Sequence, residues 1–155
     1  MNYNLLLLIH IASIILLLGF GGGSAFYKFM ADRSKNLDLI VHTNKLVVLA
    51  DWLFTTPSVL LQPLTGFMLI DLMDIPWETP WLYTSIILYI ISISLWFFAV
   101  HLQIKMKTLA LNTQKKNLQL DKGYYKLVKY WIYLGVFSSF AMGAIFYLMI
   151  FKPSF

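Results

Sequence analysis

The chain has 155 residues, of which 59% are hydrophobic and only 12% charged, with a mean hydropathy of +0.72. Soluble domains carry roughly a quarter charged residues, so the composition excludes a water-soluble globule and implies a single polytopic membrane domain over residues 1–155. The absence of cysteine removes disulfides, thiolate metal sites and cysteine nucleophiles. The net charge of +5 follows membrane topology and calls for no nucleic-acid partner.

The apolar runs predict an all-α, transmembrane four-helix bundle with spans over about 4–27, 41–72, 81–100 and 130–151, each near the roughly 20 residues a crossing needs. The first span opens without positive charge, unlike a signal peptide. Its Gly21-Gly22-Gly23-Ser24-Ala25 run suits close helix packing. It also carries His10, about 9 Å along the helix from its start at 1.5 Å per residue. A histidine at such depth suits a b-type haem ligand, because neutral imidazole nitrogen suits iron. It equally suits a side chain bonded across to another helix.

The second span is the unusual one. It carries Asp51, beside Trp52, and then Thr55, Thr56, Pro57, Ser58, Gln62, Pro63, Thr65 and Gly66. An ionisable side chain inside a spanning helix costs about 2.5–3.5 kcal/mol on insertion scales and therefore faces a cavity or a partner. Asp51, Thr55, Ser58, Gln62 and Thr65 fall on one helical face, while Leu49, Leu53, Leu60 and Leu64 fall on the other. That pattern describes a helix lining a site, with bends expected at Pro57 and Pro63. Asp51 reads as a catalytic or proton-relay carboxylate, as a counter-charge for a buried cation, or as a group satisfied by Lys45.

The short link 71–80 holds Asp71, Asp74 and Glu78 and no basic residue. The third span opens on Trp81 and Tyr83, an interfacial pair. The stretch 101–129 carries seven lysines, extends the third helix and turns near residues 121–123; the fourth span stops at Lys152-Pro153. Eleven of the twelve basic residues lie in the first and third links and the entry to span two. The positive-inside rule then puts both chain ends outside and the basic loops in the cytoplasm of a bacterial inner membrane. His42 and His101 fall at that cytoplasmic end. His101 reads as solvated, and His42 stays open as a metal ligand, roughly 20–25 Å in depth from His10. Gln62, Met68 and Met142 are the candidate cofactor-binding partners for His10, with core filling as the other reading of each methionine.

The runs LLLLIHIASIILLLGFGGGSAFY and VVLADWLFTTPSVLLQPLTGFMLI resemble a family of small bacterial four-span membrane proteins with no assigned function. Its A-D-W-x-F-T-x-P…Q-P-x-T-G signature is matched by Ala50, Asp51, Trp52, Phe54, Thr55, Pro57, Gln62, Pro63, Thr65 and Gly66. More distantly, the layout resembles HemJ-type protoporphyrinogen oxidases and CopD-like membrane proteins, through His10, Thr56-Pro57, Thr65-Gly66 and Lys152-Pro153. The HemJ-type W-L-H-x-K opening of span three is here Trp81, Leu82, Tyr83, Thr84, Ser85, and the later histidine of that family falls near Trp96. The asparagine–glutamate pair of the last span has no counterpart around residues 129–133. The resemblance therefore implies haem b bound through His10 more than it implies porphyrinogen oxidation.

Together these readings lead to a haem-binding redox or porphyrin-handling component, with a quinone or porphyrin along the Asp51 stripe and an oxidoreductase role in electron transport. Two other classes fit the same residues. One is a non-catalytic subunit, or homo-oligomer, whose polar stripe docks another membrane protein. The other is a solute or metal permeation element coupled through Asp51.

Overall fold

A computed structural model describes residues 2–153, and among them every regular element is helical. The helices are α1 (Tyr3–Ser34), α2 (Leu37–Ala50), α3 (Thr56–Leu72), α4 (Pro80–Lys115) and α5 (Lys122–Phe151), with a π-helical turn at Asp51–Thr55 joining α2 to α3. Four continuous stretches are long and apolar enough to cross a bilayer: Tyr3–Ser34, Leu37–Leu72, Pro80–Lys115 and Lys122–Phe151. Leu8, Ile15, Leu53, Leu60, Phe97 and Phe140 are all more than half exposed. Apolar surface on that scale is not left to water; it is the lipid-facing coat of a bundle.

The links are short because their caps are strong. Lys35 takes a left-handed conformation at φ 57°, and Asn36 then accepts from the amides of Asp38 and Leu39, which starts α2 at once. Asp121 caps α5 in the same way through the Tyr124 amide. Gln114, near the end of α4, donates to Asp38 at 2.6 Å and ties the two basic links together. The link 73–79 lies at the opposite end with the two chain ends, where Lys152 sits over the Trp81 ring at 5.6 Å. The helices outrun their apolar spans: at 36 residues, α4 is about 54 Å long against a hydrocarbon core of about 30 Å. Its polar half, which includes Gln103, therefore continues as helix rather than loop.

Two cores bracket the bundle. At the basic end Ile40 and Val41 of α2 meet Ala99, Met106 and Ala110 of α4 and Tyr124, Val128 and Trp131 of α5. At the other end Ile70, Trp81, Leu82 and Leu148 join α3, α4 and α5. α4 and α5 form the most extensive hairpin, α1 lies along α2 and α3, and α2 packs on α4. α1 and α5 remain apart through the middle.

Both prolines of the second span act through the carbonyl four residues back. Pro63 has no amide to give Val59, and the Tyr89 hydroxyl of α4 donates to that carbonyl at 2.6 Å. Here the helix stays continuous because a neighbour replaces the missing donor. Tyr89→Phe is expected to destabilise the bundle by about 1–3 kcal/mol, the cost of a buried acceptor left unpaired. In a Pro63→Ala background, where residue 63 regains its amide, the same change should cost clearly less. Thermal unfolding of the four proteins in detergent measures both; equal losses in the two backgrounds would rule out this role for Tyr89.

Candidate functional site

Pro57 shapes the other break. Its ring would strike the carbonyl of Leu53 and it brings no amide, and the helix responds by widening. The Thr56 amide reaches back five residues to the Asp51 carbonyl. Such π-helical turns are frequent at functional sites. This one turns Asp51 and Thr55 inward, both buried, while Trp52 and Leu53 face lipid. The whole polar face of Asp51, Thr55, Ser58, Gln62 and Thr65 is buried, and Leu49, Leu53, Leu60 and Leu64 are each more than half exposed.

The stripe divides into two environments. Toward the acidic link it is closed by hydrogen bonds to α1. The Thr65 hydroxyl donates to the Leu61 carbonyl at 2.6 Å and so accepts from His10 Nδ1 at 2.7 Å. The Gln62 amide donates to the His10 carbonyl at 2.8 Å and to Ser13 at 2.7 Å. The imidazole packs beside Gly66, where an added Cβ would meet His10 Cε1 at 3.5 Å, an ordinary van der Waals contact.

Toward the basic end the stripe faces a cavity of about 660 Å³ between α1 and α5. Asp51, Thr55, Trp96 and Gln103 form its polar side, and Trp131, Phe29, Phe140 and Met142 are among its apolar walls. Leu18, Val136 and Phe140 line it and are themselves exposed, so it opens sideways into the lipid. Gly21 and Gly22 border it, and a Cβ added at either would meet nothing within 4 Å. The glycine run thus leaves space instead of bringing helices together, which corrects the close packing expected of it. On the far side of the π-helical turn Phe20 stacks on Phe54 with ring centroids 3.8 Å apart, which holds α1 against the second span.

The polar side of this cavity is unsatisfied. Asp51 Oδ2, Thr55 Oγ1, Trp96 Nε1 and Gln103 Oε1 are buried without a hydrogen-bond partner, as is Ser92 Oγ further along α4. Thr55 and Gln103 are the side chains placed to hydrogen-bond the Asp51 carboxyl, and Asp51 Oδ2, Thr55 Oγ1 and Gln103 Oε1 still lack a partner. More than nine in ten buried polar groups are paired. Four residues that line one cavity thus carry buried polar atoms without a partner.

The other expected residues lie elsewhere. Lys45 is exposed, and the ion pair found among the described residues is Lys28–Asp32, so Asp51 has no lysine partner. His10 is absent from the cavity lining; its α1 position is about 10 Å along the helix from Leu17, where the lining begins. Of its candidate partners, Gln62 bonds its backbone rather than its ring, Met142 lines the cavity, and Met68 is 47% exposed. His42 and His101 are exposed. Among the described residues no group of three or more histidine and acidic side chains gathers to hold a metal ion.

One cluster had no forewarning beyond a spacing. Lys28, the first residue after the expected first span, is 1% exposed. It bonds Asp32 at 2.8 Å and the Tyr124 hydroxyl at 3.2 Å. Tyr124 in turn donates to Asp32 at 2.7 Å and accepts from Asn44 at 2.9 Å. The ammonium also lies 5.6 Å from the centre of the Trp131 ring, which itself borders the cavity. The i, i+4 spacing of Lys28 and Asp32 is the signal that could have found them. Gln103 and Trp96 offer none, since their role depends on how α4 is rotated.

A family model described as a predicted integral membrane protein, DUF2269, matches residues 4–153. No curated protein and no solved structure matches the chain.

The buried Lys28–Asp32 pair makes a direct prediction. Lys28→Met strands the Asp32 carboxylate and should cost about 3–5 kcal/mol. Lys28→Met combined with Asp32→Leu should recover much of that loss. Chemical unfolding in detergent measures the three variants, and a near-neutral single change would mean the pair is solvated.

Proposed function

The chain belongs to the DUF2269 family of predicted integral membrane proteins, and we propose that it serves there as a binding component for a lipid-soluble quinone, taken up from the bilayer into the Asp51 cavity. One observation carries this reading: four of the residues that line a single cavity, one with aromatic walls and a mouth in the lipid, each carry a buried polar atom without a partner. Leaving such groups dry in a membrane is costly, and a ligand that completes their hydrogen bonds removes the cost. The sideways mouth selects for a molecule that already resides in the bilayer. Trp96, Trp131 and Phe140 suit a flat ring, and an apolar tail can remain outside between α1 and α5.

A porphyrin is the weaker fit to the same cavity. Its carboxylates call for cations, and no lysine or arginine lines the walls, whereas Asp51 does. The cavity also holds no imidazole for an iron. With a quinone, Asp51 and Trp96 supply what the ring oxygens need: a carboxyl to share a proton and an indole N–H to donate. The protein then acts in electron transport by placing the ring and governing its proton, while the redox chemistry belongs to the ligand. By the positive-inside rule the cavity sits in the cytoplasmic half of a bacterial inner membrane.

A second reading rests on His10. Its Nδ1–H is held by Thr65 at 2.7 Å, leaving Nε2 as the free lone pair in a fixed ring, the outer-shell arrangement that orients metal-bound histidines. Haem b bound there would supply one-electron transfer beside the quinone site.

Two measurements test these readings. In lipid nanodiscs a short-chain quinone should quench the tryptophan fluorescence saturably. Gly21→Leu should abolish the effect by filling the cavity, with little loss of stability because nothing meets its Cβ. Trp96→Phe should weaken binding about fivefold, one hydrogen bond's worth. Quenching no greater than partition into lipid alone, and unaffected by Gly21→Leu, would remove the quinone reading. For haem, a reduced-minus-oxidised spectrum should show a b-type band that is lost in His10→Ala and reduced about tenfold or more in haem occupancy in Thr65→Val. No band after haem-supplemented expression would remove that reading.

A further inference from the structure

We infer that the cavity distinguishes the oxidised from the reduced ring through the proton on Asp51: the protonated carboxyl selects the quinone, and the ionised carboxylate selects the hydroquinone. The inference rests on the quinone reading and adds to it a residue that sets redox-state specificity.

Donors and acceptors at the wall decide which ring form fits. Among the residues that line the cavity and carry a buried, unpartnered atom, Gln103 Oε1 only accepts, Trp96 Nε1 only donates, and the Thr55 hydroxyl does either. Asp51 is the one member whose role changes, because an ionised carboxylate only accepts while a carboxylic acid also donates. A quinone brings carbonyl oxygens and no donor. Against an ionised Asp51 its oxygens face a carboxylate with nothing between them, whereas against the acid one of them receives a hydrogen bond. A hydroquinone brings two O–H donors, which suit an ionised Asp51 and Gln103 Oε1 together. A site built to hydrogen-bond a particular group rejects the analogue lacking it far more strongly than an apolar pocket does.

No other titratable side chain competes at the walls. Besides Asp51, the cavity is lined by aliphatic, aromatic, small, hydroxyl and amide residues, with no other acid, histidine, lysine, arginine or tyrosine. The charged groups of the surrounding elements are set back. On α1, Lys28 and Asp32 are paired beyond Trp131 and bonded to Tyr124 of α5. On α2, His42 and Lys45 are exposed, as are His101 and Lys105 on α4. Asp51 itself is 5% exposed and has no ionic partner among the described residues. Binding and protonation are therefore linked, and each ligand must shift the other by the same factor. Binding of the quinone takes up a proton where the free site is ionised. Binding of the hydroquinone releases one where the free site is protonated.

The test is an anaerobic titration of the full chain in lipid nanodiscs with a decyl-benzoquinone, read by tryptophan quenching, and with its hydroquinone as competitor. Quinone affinity should fall about tenfold or more from about pH 6 to about pH 9, while the competitor's affinity rises. Asp51→Asn, whose amide donates at every pH, should bind quinone with no pH dependence and lose the preference for hydroquinone at high pH. Trp96→Phe should weaken quinone and keep the slope. Saturable quinone binding that is flat with pH in the parent chain overturns the inference and leaves the quinone reading standing, as does a slope that persists in Asp51→Asn. Failure of both ligands to bind overturns the two together. Should Asp51→Asn not fold, the parent slope and its retention in Trp96→Phe still decide.

Discussion

In hydrocarbon there is no water to complete a polar group, so every donor and acceptor inside the bundle must find its partner in the protein or do without. The two prolines of the second span turn this rule into shape. Each removes one amide from a helix that has no solvent to compensate, and each is answered differently. At Pro63 the Tyr89 hydroxyl crosses from α4 to the freed Val59 carbonyl. At Pro57 the backbone itself answers, by a π-helical turn that places the Asp51 and Thr55 side chains on the inner face.

Along the bundle the polar side chains form three layers of unlike character. Nearest the acidic link, His10, Ser13, Gln62 and Thr65 bond one another and the α1 backbone. Nearest the basic links, Lys28, Asp32, Asn44 and Tyr124 share one hydroxyl and one ion pair. Both layers are closed, and both join α1 to other elements. The middle layer of Asp51, Thr55, Trp96 and Gln103 is open, and there α1 stands away from α5. The closed layers hold the ends of α1, which allows the space between them to persist. The glycines of α1 contribute by what they lack, since side chains at Gly21 and Gly22 would project into it.

This separation also reorganises the chemistry expected of the chain. His10 and Asp51 are both polar residues in spanning helices. They belong to different layers, and His10 is not among the residues that line the cavity. The cavity walls carry no imidazole and no cation, which favours a neutral, lipid-soluble ring over a porphyrin there. His10 keeps a free ring nitrogen, so a haem reading attaches to that residue alone.

Four helices, their order and the inward face of the second span follow from the sequence by itself, because hydropathy, helical period and the cost of a buried carboxylate are local properties of a run of residues. The prolines and Asp51 likewise mark where the second span is irregular. Only the tertiary structure decided which side chains face that irregularity. Gln103 and Trp96 look like ordinary members of a polar helix extension and an apolar span until the rotation of α4 brings them to Asp51. Lys28 reads as the first residue after the first span until α5 delivers Tyr124 across 96 residues. Partners so far apart in the chain leave no periodic trace, since they are chosen by how rigid helices pack and not by what stands next to them.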